Sequence, residues 1–177
     1  SINYISHNPS FPIWTICASP FTVFFNAACA KKGSTMNIVI FHNPNCGTSR
    51  NVVKIVKDAG YTPNVIEYLT VGWSIPQLKT LFSTAGITAH EALRVSKTPA
   101  EEMALTSPEV TGEQLLKAMV AHPILVNRPF VACKGQVRLC RPSGEVLSLL
   151  KQWPPAPYAK EDGSLLIDAD GLPLKGA

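Results

Sequence analysis

From Met36 onward, the hydrophobic and polar positions follow two different periodicities, which predict a strand, a helix and a second strand. Residues 38–41 are an uninterrupted apolar run typical of a buried strand. Residues 52–59 carry apolar side chains at helical spacing, and Gly60 stands where such a helix ends. Residues 65–69 are predicted to form the second strand. A β-α-β unit of this kind has parallel strands joined by a right-handed crossover.

Between residues 74 and 121 the pattern predicts a helical insert of three or four short helices. Four times in this stretch, Ser or Thr is followed three residues later by Gln or Glu, which is the signature of a capping box. The four candidate boxes begin at Ser74, Thr88, Thr98 and Thr111. Apolar residues at helical spacing follow each of them.

After the insert, two short strands are predicted around residues 130–132 and 136–139, joined as a hairpin. A last helix is expected to open at residues 140–143, and the prolines from residue 154 stop it. The turn-rich tail, residues 160–177, is expected to lie on the surface and to be partly mobile. The order β-α-β, insert, β-β-α indicates an α/β fold: a thioredoxin-like three-layer domain with a mixed four-stranded sheet and a helical insert. Pro129 then stands where such folds have a cis-proline.

Residues 1–35 differ in composition from the rest and are left as an unassigned N-terminal extension, with residues 36–177 expected to form one domain. A signal peptide has positive charge before its apolar run, whereas Lys31 and Lys32 come after this one. A membrane anchor needs about 20 apolar residues, and polar residues dilute this stretch. We favour a third interpretation, in which Met36 is the natural start.

The composition, with 46% hydrophobic and 16% charged residues and a net charge of +4, is that of a globular protein. No dense Lys/Arg block indicates a nucleic-acid partner, and we expect no membrane association. The five cysteines form no C-x-x-C pair and no zinc spacing, so we predict neither a metal site nor a disulfide framework. A reducing, cytoplasmic setting is the better expectation.

Cys46 lies where the first predicted strand ends and the first helix begins. The unpaired N–H groups and the dipole of a helix N-terminus favour an anion there and lower the pKa of a thiol. Cys46 is therefore the candidate nucleophile, and the alternative is a buried structural cysteine. Ser49 stands where C-x-x-C would have its second cysteine, and Val52 stands where the C-x5-R phosphatase signature has its arginine. A lone nucleophile remains, whose adduct needs an external thiol.

Arg94, Arg128 and Arg141 stand where predicted strand and helix ends could converge. Arginine presents a planar fork of donors that suits a tetrahedral oxyanion, and several of them together would also favour a thiolate. Each of the three could instead be a surface arginine, which is how we interpret Arg50 and Arg138.

His42 and Ser49 are candidate thiol-activating residues around Cys46. His42, four residues before the cysteine, could tune the thiol or be a structural hydrogen-bonding group. Ser49 could donate to the thiolate or satisfy the start of the helix. Cys140 lacks a comparable helix-start pattern, so we predict a buried residue at a strand end.

The sequence HNPNCGTSR at residues 42–50, with HPILVNRP at 122–129 and RLCRP at 138–142, resembles the glutaredoxin-linked bacterial arsenate reductases of thioredoxin-like fold. The resemblance extends from Met36 to about Leu174. It implies that Cys46 captures arsenate, that the three arginines bind the oxyanion and that His42 lowers the thiol pKa. It also implies no bound cofactor, glutathione as co-substrate, glutaredoxin as partner, and a role in arsenic detoxification.

Two other functions remain open. One is a related thioredoxin-like reductase that acts on another substrate through the same thiolate. The other is a redox-sensing transcription regulator of the same superfamily that contacts RNA polymerase. Such sensors typically carry C-x-x-C, and Ser49 counts against this function.

Overall fold

A computed structural model describes residues 36–174 of the chain. The interpretations of the N-terminal extension lie outside the described residues, as do the last three positions of the tail. Within residues 36–174, no helix is long and apolar enough to cross a membrane.

The described part is built on a mixed four-stranded sheet with the strand order β2-β1-β3-β4. Its strands are β1 (Ile38–His42), β2 (Asn64–Glu67), β3 (Phe130–Cys133) and β4 (Gln136–Leu139). β1 pairs in parallel with β2 and antiparallel with β3, which pairs antiparallel with β4. All five residues of β1 are buried, as a central strand of apolar composition requires. The strand that leads to Cys46 is therefore held on both sides.

Helix α1 (Gly47–Asp58) covers one face of this sheet. Its apolar stripe packs into the main core cluster with the inward-facing residues Ile38 and Ile40 of β1 and Val131 of β3. The opposite face is covered by the insert, where the rings of Phe82 and Phe130 lie 5.8 Å apart. The predicted three-layer, thioredoxin-like arrangement is thus confirmed.

The insert contains fewer helices than the four capping boxes predict. After a single short turn, α2 (Tyr68–Val71), only α3 (Ile75–Ala85) and α4 (Gly112–Ala121) are α-helices in the stretch from residue 74 to 121. Ser74 and Thr111 each form both reciprocal bonds of the capping box, as predicted. The helices predicted after residues 88 and 98 are wrong.

Backbone pairing with a distant part of the chain prevents the helix predicted after residue 88. Thr88 and Glu91 do form their reciprocal bonds, but Leu93 then makes an antiparallel bridge with Val126. The N–H group of Arg94 donates to the carbonyl oxygen of Leu125 at 2.8 Å. Because these backbone groups are engaged elsewhere, the helix cannot propagate. The same pairing fastens Arg94 to the segment that leads into β3.

The second segment ends after one turn for a local reason. The Thr98 hydroxyl donates backward to the carbonyl oxygen of Arg94 at 2.7 Å. Residue Ala104 then adopts a left-handed backbone conformation with φ of 51°, which an α-helix cannot contain. The stretch between residues 86 and 111 is therefore made of turns.

The last predicted helix is a 3₁₀ helix (Ser143–Leu149), with Val146 and Leu147 buried as expected. The prediction of a surface tail is wrong for its centre. Strands β5 (Tyr158–Ala159) and β6 (Leu165–Ile167) form a small antiparallel sheet, and the side chains of Leu166 and Ile167 belong to the main core cluster. The tail therefore packs into the same core as α1.

Candidate active site

Cys46 is the N-cap residue of α1, in the loop that connects β1 to this helix. Its N–H group donates to the carbonyl oxygen of Asn43 at 3.1 Å, and its own carbonyl accepts from Arg50 N at 3.0 Å. The Asn43 side-chain oxygen accepts from the N–H of Asn45 at 2.9 Å, which closes the loop from inside. The sulfur is thereby fixed at the start of the helix, where backbone N–H groups are unpaired.

The surroundings of Cys46 favour its thiolate. Burial by itself raises the pKa of this thiol, because a charged sulfur loses solvation. The backbone N–H of Ser49, the positive charges of Arg128 and Arg141, and a hydrogen bond from Arg141 outweigh burial. The pKa of Cys46 is consequently lowered from its ordinary value, which is the condition for a reactive cysteine.

The three candidate arginines come from separate parts of the chain, and each lies within electrostatic range of this sulfur. Arg141 follows β4 and Arg128 precedes β3, and each is joined to the next proline by a cis peptide bond, as expected for Pro129. Arg94 comes from the insert, and its Nε donates to the carbonyl oxygen of Ser96 at 3.0 Å. Burial lowers the pKa of Arg94, and the positive charge of Arg128 lowers it further.

No carboxylate of residues 36–174 forms an ion pair with any of these three arginines. The ion pairs of this part of the chain are Arg50–Glu161, Lys54–Asp58, Lys79–Glu113 and Arg138–Glu145. Arg128 is only 7% exposed, and its Nε is buried without a hydrogen-bond partner. A buried cation with an unpaired donor is costly unless an anion binds to it. The cluster of Arg94, Arg128 and Arg141 around the Cys46 sulfur, here called the oxyanion cradle, is therefore built to receive an anion.

His42 and Ser49 contact each other beside the cradle. His42 Nδ1 lies 2.8 Å from the Ser49 hydroxyl oxygen, which also accepts from the N–H of Asn43 at 3.0 Å. Burial lowers the pKa of His42, so that its imidazole is neutral at neutral pH. The contact of Ser49 with the sulfur is made by its backbone N–H, while its hydroxyl is engaged with His42. An effect of His42 on the thiol would thus pass through the position of Ser49.

Tyr68 is a site residue that the sequence pattern did not reveal. Its side chain is 1% exposed, and its hydroxyl donates to the carbonyl oxygen of Val126 at 3.4 Å. The same hydroxyl hydrogen-bonds the side chain of Asn43 and feels the charges of Arg128 and Arg94. Burial is the main cause that raises the pKa of Tyr68. The only sequence signal was an amphipathic aromatic residue at the end of a strand beside β1.

The remaining candidates are not part of the cradle. Arg50 and Arg138 are exposed and paired with carboxylates, as predicted for surface arginines. Cys140 is fully buried directly after β4, and burial raises its pKa to about 12, as expected for an unreactive structural thiol. Within residues 36–174, His, Cys, Asp and Glu side chains form no group of three that could hold a metal ion.

The chain is similar to known proteins in family, sequence and structure. The model of the ArsC family matches residues 41–149. "Arsenate reductase ArsI2" of Synechocystis is 57% identical over 134 residues, which cover 76% of this chain and 96% of that protein. The arsenate reductase of Escherichia coli is 42% identical over 139 residues, 78% of this chain and 99% of its own. The solved structure of an arsenate reductase from Vibrio cholerae is similar at a TM-score of 0.63 with 35% identity, covering 66% of this chain and 99% of that one.

Proposed function

Since the chain belongs to the ArsC family, we propose that it is an arsenate reductase that converts arsenate to arsenite at Cys46. The observation that carries the proposal is the oxyanion cradle. Three arginines without a carboxylate partner in residues 36–174 lie within electrostatic range of a cysteine of lowered pKa, and one of them is buried with an unpaired Nε. The relatives named arsenate reductase support arsenate as the anion.

The first step is the capture of arsenate by the Cys46 thiolate. The sulfur forms a bond to As(V), an As–O bond breaks, and the oxygen leaves as water after protonation. Arg94, Arg128 and Arg141 donate to the remaining oxygens and hold the arsenic over the sulfur, in the way that forked guanidinium donors bind tetrahedral oxyanions. His42 positions Ser49, whose backbone N–H stabilises the thiolate before attack.

The second stage supplies the two electrons from external thiols. The glutathione thiol displaces another oxygen as water, which leaves arsenic as As(V) between two sulfurs. A glutaredoxin thiolate then attacks the glutathione sulfur and forms a mixed disulfide, and the As–S electron pair remains on arsenic as As(III). Water releases arsenite and regenerates Cys46. The absence of C-x-x-C at residues 46–49 supports this use of external thiols in a cytoplasmic, glutathione-rich setting.

Selectivity for arsenate over phosphate comes from the reaction more than from binding. The two anions have the same tetrahedral shape, so that an arginine cradle binds both of them. Esters and thioesters of arsenate form and break far more readily than those of phosphate, and only arsenic accepts two electrons. Interactions that are equally strong for both anions, in the bound state and in the transition state, cannot discriminate between them. We therefore expect phosphate and sulfate to act as weak competitive inhibitors that are not turned over.

The proposal is tested by arsenite formation with the purified protein, glutathione and glutaredoxin. The Cys46→Ser variant should show no turnover, whereas the matched control Cys140→Ser should retain activity if it folds as judged by circular dichroism. A wild-type protein without turnover, or a Cys46→Ser variant as active as wild type, would disprove it. Turnover of another oxyanion in preference to arsenate would indicate a related reductase instead.

A further inference from the structure

A groove with a volume of about 440 Å³ opens beside the cysteine loop. This volume lies within the roughly 300–1,000 Å³ that small-molecule sites occupy. The groove, here called the tail groove, is lined by the first turns of α1, by the two residues after Arg141 and by part of the tail. Its lining residues are Gly47, Thr48, Arg50, Asn51, Pro142, Ser143, Lys160, Glu161 and Asp162.

The tail groove adjoins the oxyanion cradle. Gly47 and Thr48 directly follow Cys46, and Pro142 directly follows Arg141, whose guanidinium hydrogen-bonds the Cys46 sulfur. The groove therefore opens next to the loop that carries Cys46 and the segment that carries Arg141. The groove is separate from the arginines that hold the oxyanion, since none of the three lines it.

The groove wall is attached to the helix that carries Cys46. The N–H of Glu161 donates to the side-chain oxygen of the buried Asn51 at 2.9 Å, and the Glu161 carboxylate pairs with Arg50 at 3.1 Å. Arg50 also donates to the carbonyl oxygen of Pro44, within the cysteine loop itself, at 2.9 Å. The tail, α1 and the cysteine loop thus form one wall, whose position relative to the sulfur is fixed by hydrogen bonds.

The groove offers both signs of charge. Arg50 and Glu161 pair with each other, so Lys160 supplies the cation for a ligand, and the start of α1 adds its positive dipole end. Asp162 supplies a carboxylate, and its pKa is lowered mainly by hydrogen bonds from Ser164 and further by the charge of Lys160. A small zwitterionic peptide, with carboxylates and an ammonium group, is complementary to such a lining.

We propose that the tail groove binds glutathione, the tripeptide that delivers the second thiol to the cysteine–arsenic adduct. The inference rests on the proposed function, which requires such a thiol but does not say where it binds. In the groove, a peptide carboxylate lies toward Lys160 and the start of α1, and the ammonium lies toward Asp162. The thiol forms the new As–S bond, an As–O bond breaks, and its oxygen leaves as water, so that arsenic stays As(V) in this step.

The test compares Lys160→Ala and Lys160→Glu with Lys117→Ala, a matched loss of an exposed lysine on α4. At saturating arsenate and fixed glutaredoxin, the KM for glutathione should rise about threefold in Lys160→Ala and about tenfold in Lys160→Glu, as expected for a solvent-screened contact of the half-buried Lys160. The KM for arsenate should stay unchanged in both. Lys117→Ala should match wild type in both constants.

A second readout needs no turnover. Calorimetric titration of Cys46→Ser protein with S-methylglutathione, which cannot react, should give binding that Lys160→Glu weakens and Lys117→Ala does not. If wild-type protein forms arsenite but Lys160→Glu changes neither the glutathione KM nor this binding, the groove assignment is overturned and the proposed function stands. If wild-type protein forms no arsenite, the proposed function fails. Independently of that result, the groove assignment is overturned if S-methylglutathione does not bind or if Lys160→Glu leaves its binding unchanged.

Discussion

Replacement of Arg141 by alanine is the sharpest perturbation of the oxyanion cradle. Arg141 gives the Cys46 sulfur both a positive charge and a direct hydrogen bond, so its loss should raise the pKa of this thiol. The same guanidinium is proposed to hold an arsenate oxygen. A hydrogen bond to a charged group contributes about 1.5–3 kcal/mol, and its loss corresponds to a decrease in kcat/KM for arsenate of about ten- to a hundredfold.

The assay for the thiol is the rate of alkylation by iodoacetamide as a function of pH. Below the pKa of the variant, Arg141→Ala should react more slowly than wild type, because a smaller fraction of its Cys46 is thiolate. Well above both pKa values the difference should vanish. Arg141→Lys keeps the charge and should lie between the two proteins. A profile for Arg141→Ala that coincides with wild type, or moves toward lower pH, would refute the electrostatic reasoning.

Three further predictions concern the core, the loop and the pH dependence of folding. Leu166→Ala should lower the free energy of unfolding in urea by about 2–5 kcal/mol, because this tail side chain is 1% exposed in the main core; a change under 0.5 kcal/mol would contradict its burial. Tyr68→Phe should cost about 1–2 kcal/mol in the same measurement and also reduce kcat/KM for arsenate, since the cysteine loop and the Val126 carbonyl lose a shared partner. Because the pKa of His42 is lowered in the folded protein, the unfolded chain binds a proton more readily, and the free energy of unfolding should decrease as pH falls below about 6.5. His42→Asn should make this dependence on pH less steep. An unchanged pH dependence in the variant would show that other groups cause it.

The β-α-β start and the position of Cys46 could be predicted because both depend on local patterns. An apolar run followed by apolar residues at helical spacing predicts a strand and then a helix. A cysteine between the two must therefore lie at the start of the helix. The first and last capping boxes of the insert, at Ser74 and Thr111, are also local signals, and both form as predicted. Where the local signal and the tertiary contacts agree, the sequence is sufficient.

The predictions that are wrong involve contacts distant in sequence. The capping box at Thr88 is present, but the pairing of Leu93 with Val126 decides the backbone there. The tail was predicted at the surface because turn residues surround a strand of only three residues, and nothing local indicates that Leu166 reaches the core of α1. Tyr68 was missed for the same reason, since its partners Asn43 and Val126 lie on other elements.

The bridge between Leu93 and Val126 makes the insert inseparable from the chemistry proposed for this protein. A miniaturised variant with residues 74–121 excised would keep all four strands of the sheet, the nucleophilic sulfur and two of its guanidinium neighbours, yet it would lack Arg94. Grafting HNPNCGTSR onto a plain scaffold of the same topology would fall short for the same reason. A designer who wants oxyanion capture must transplant the insert together with the segment that ties it down.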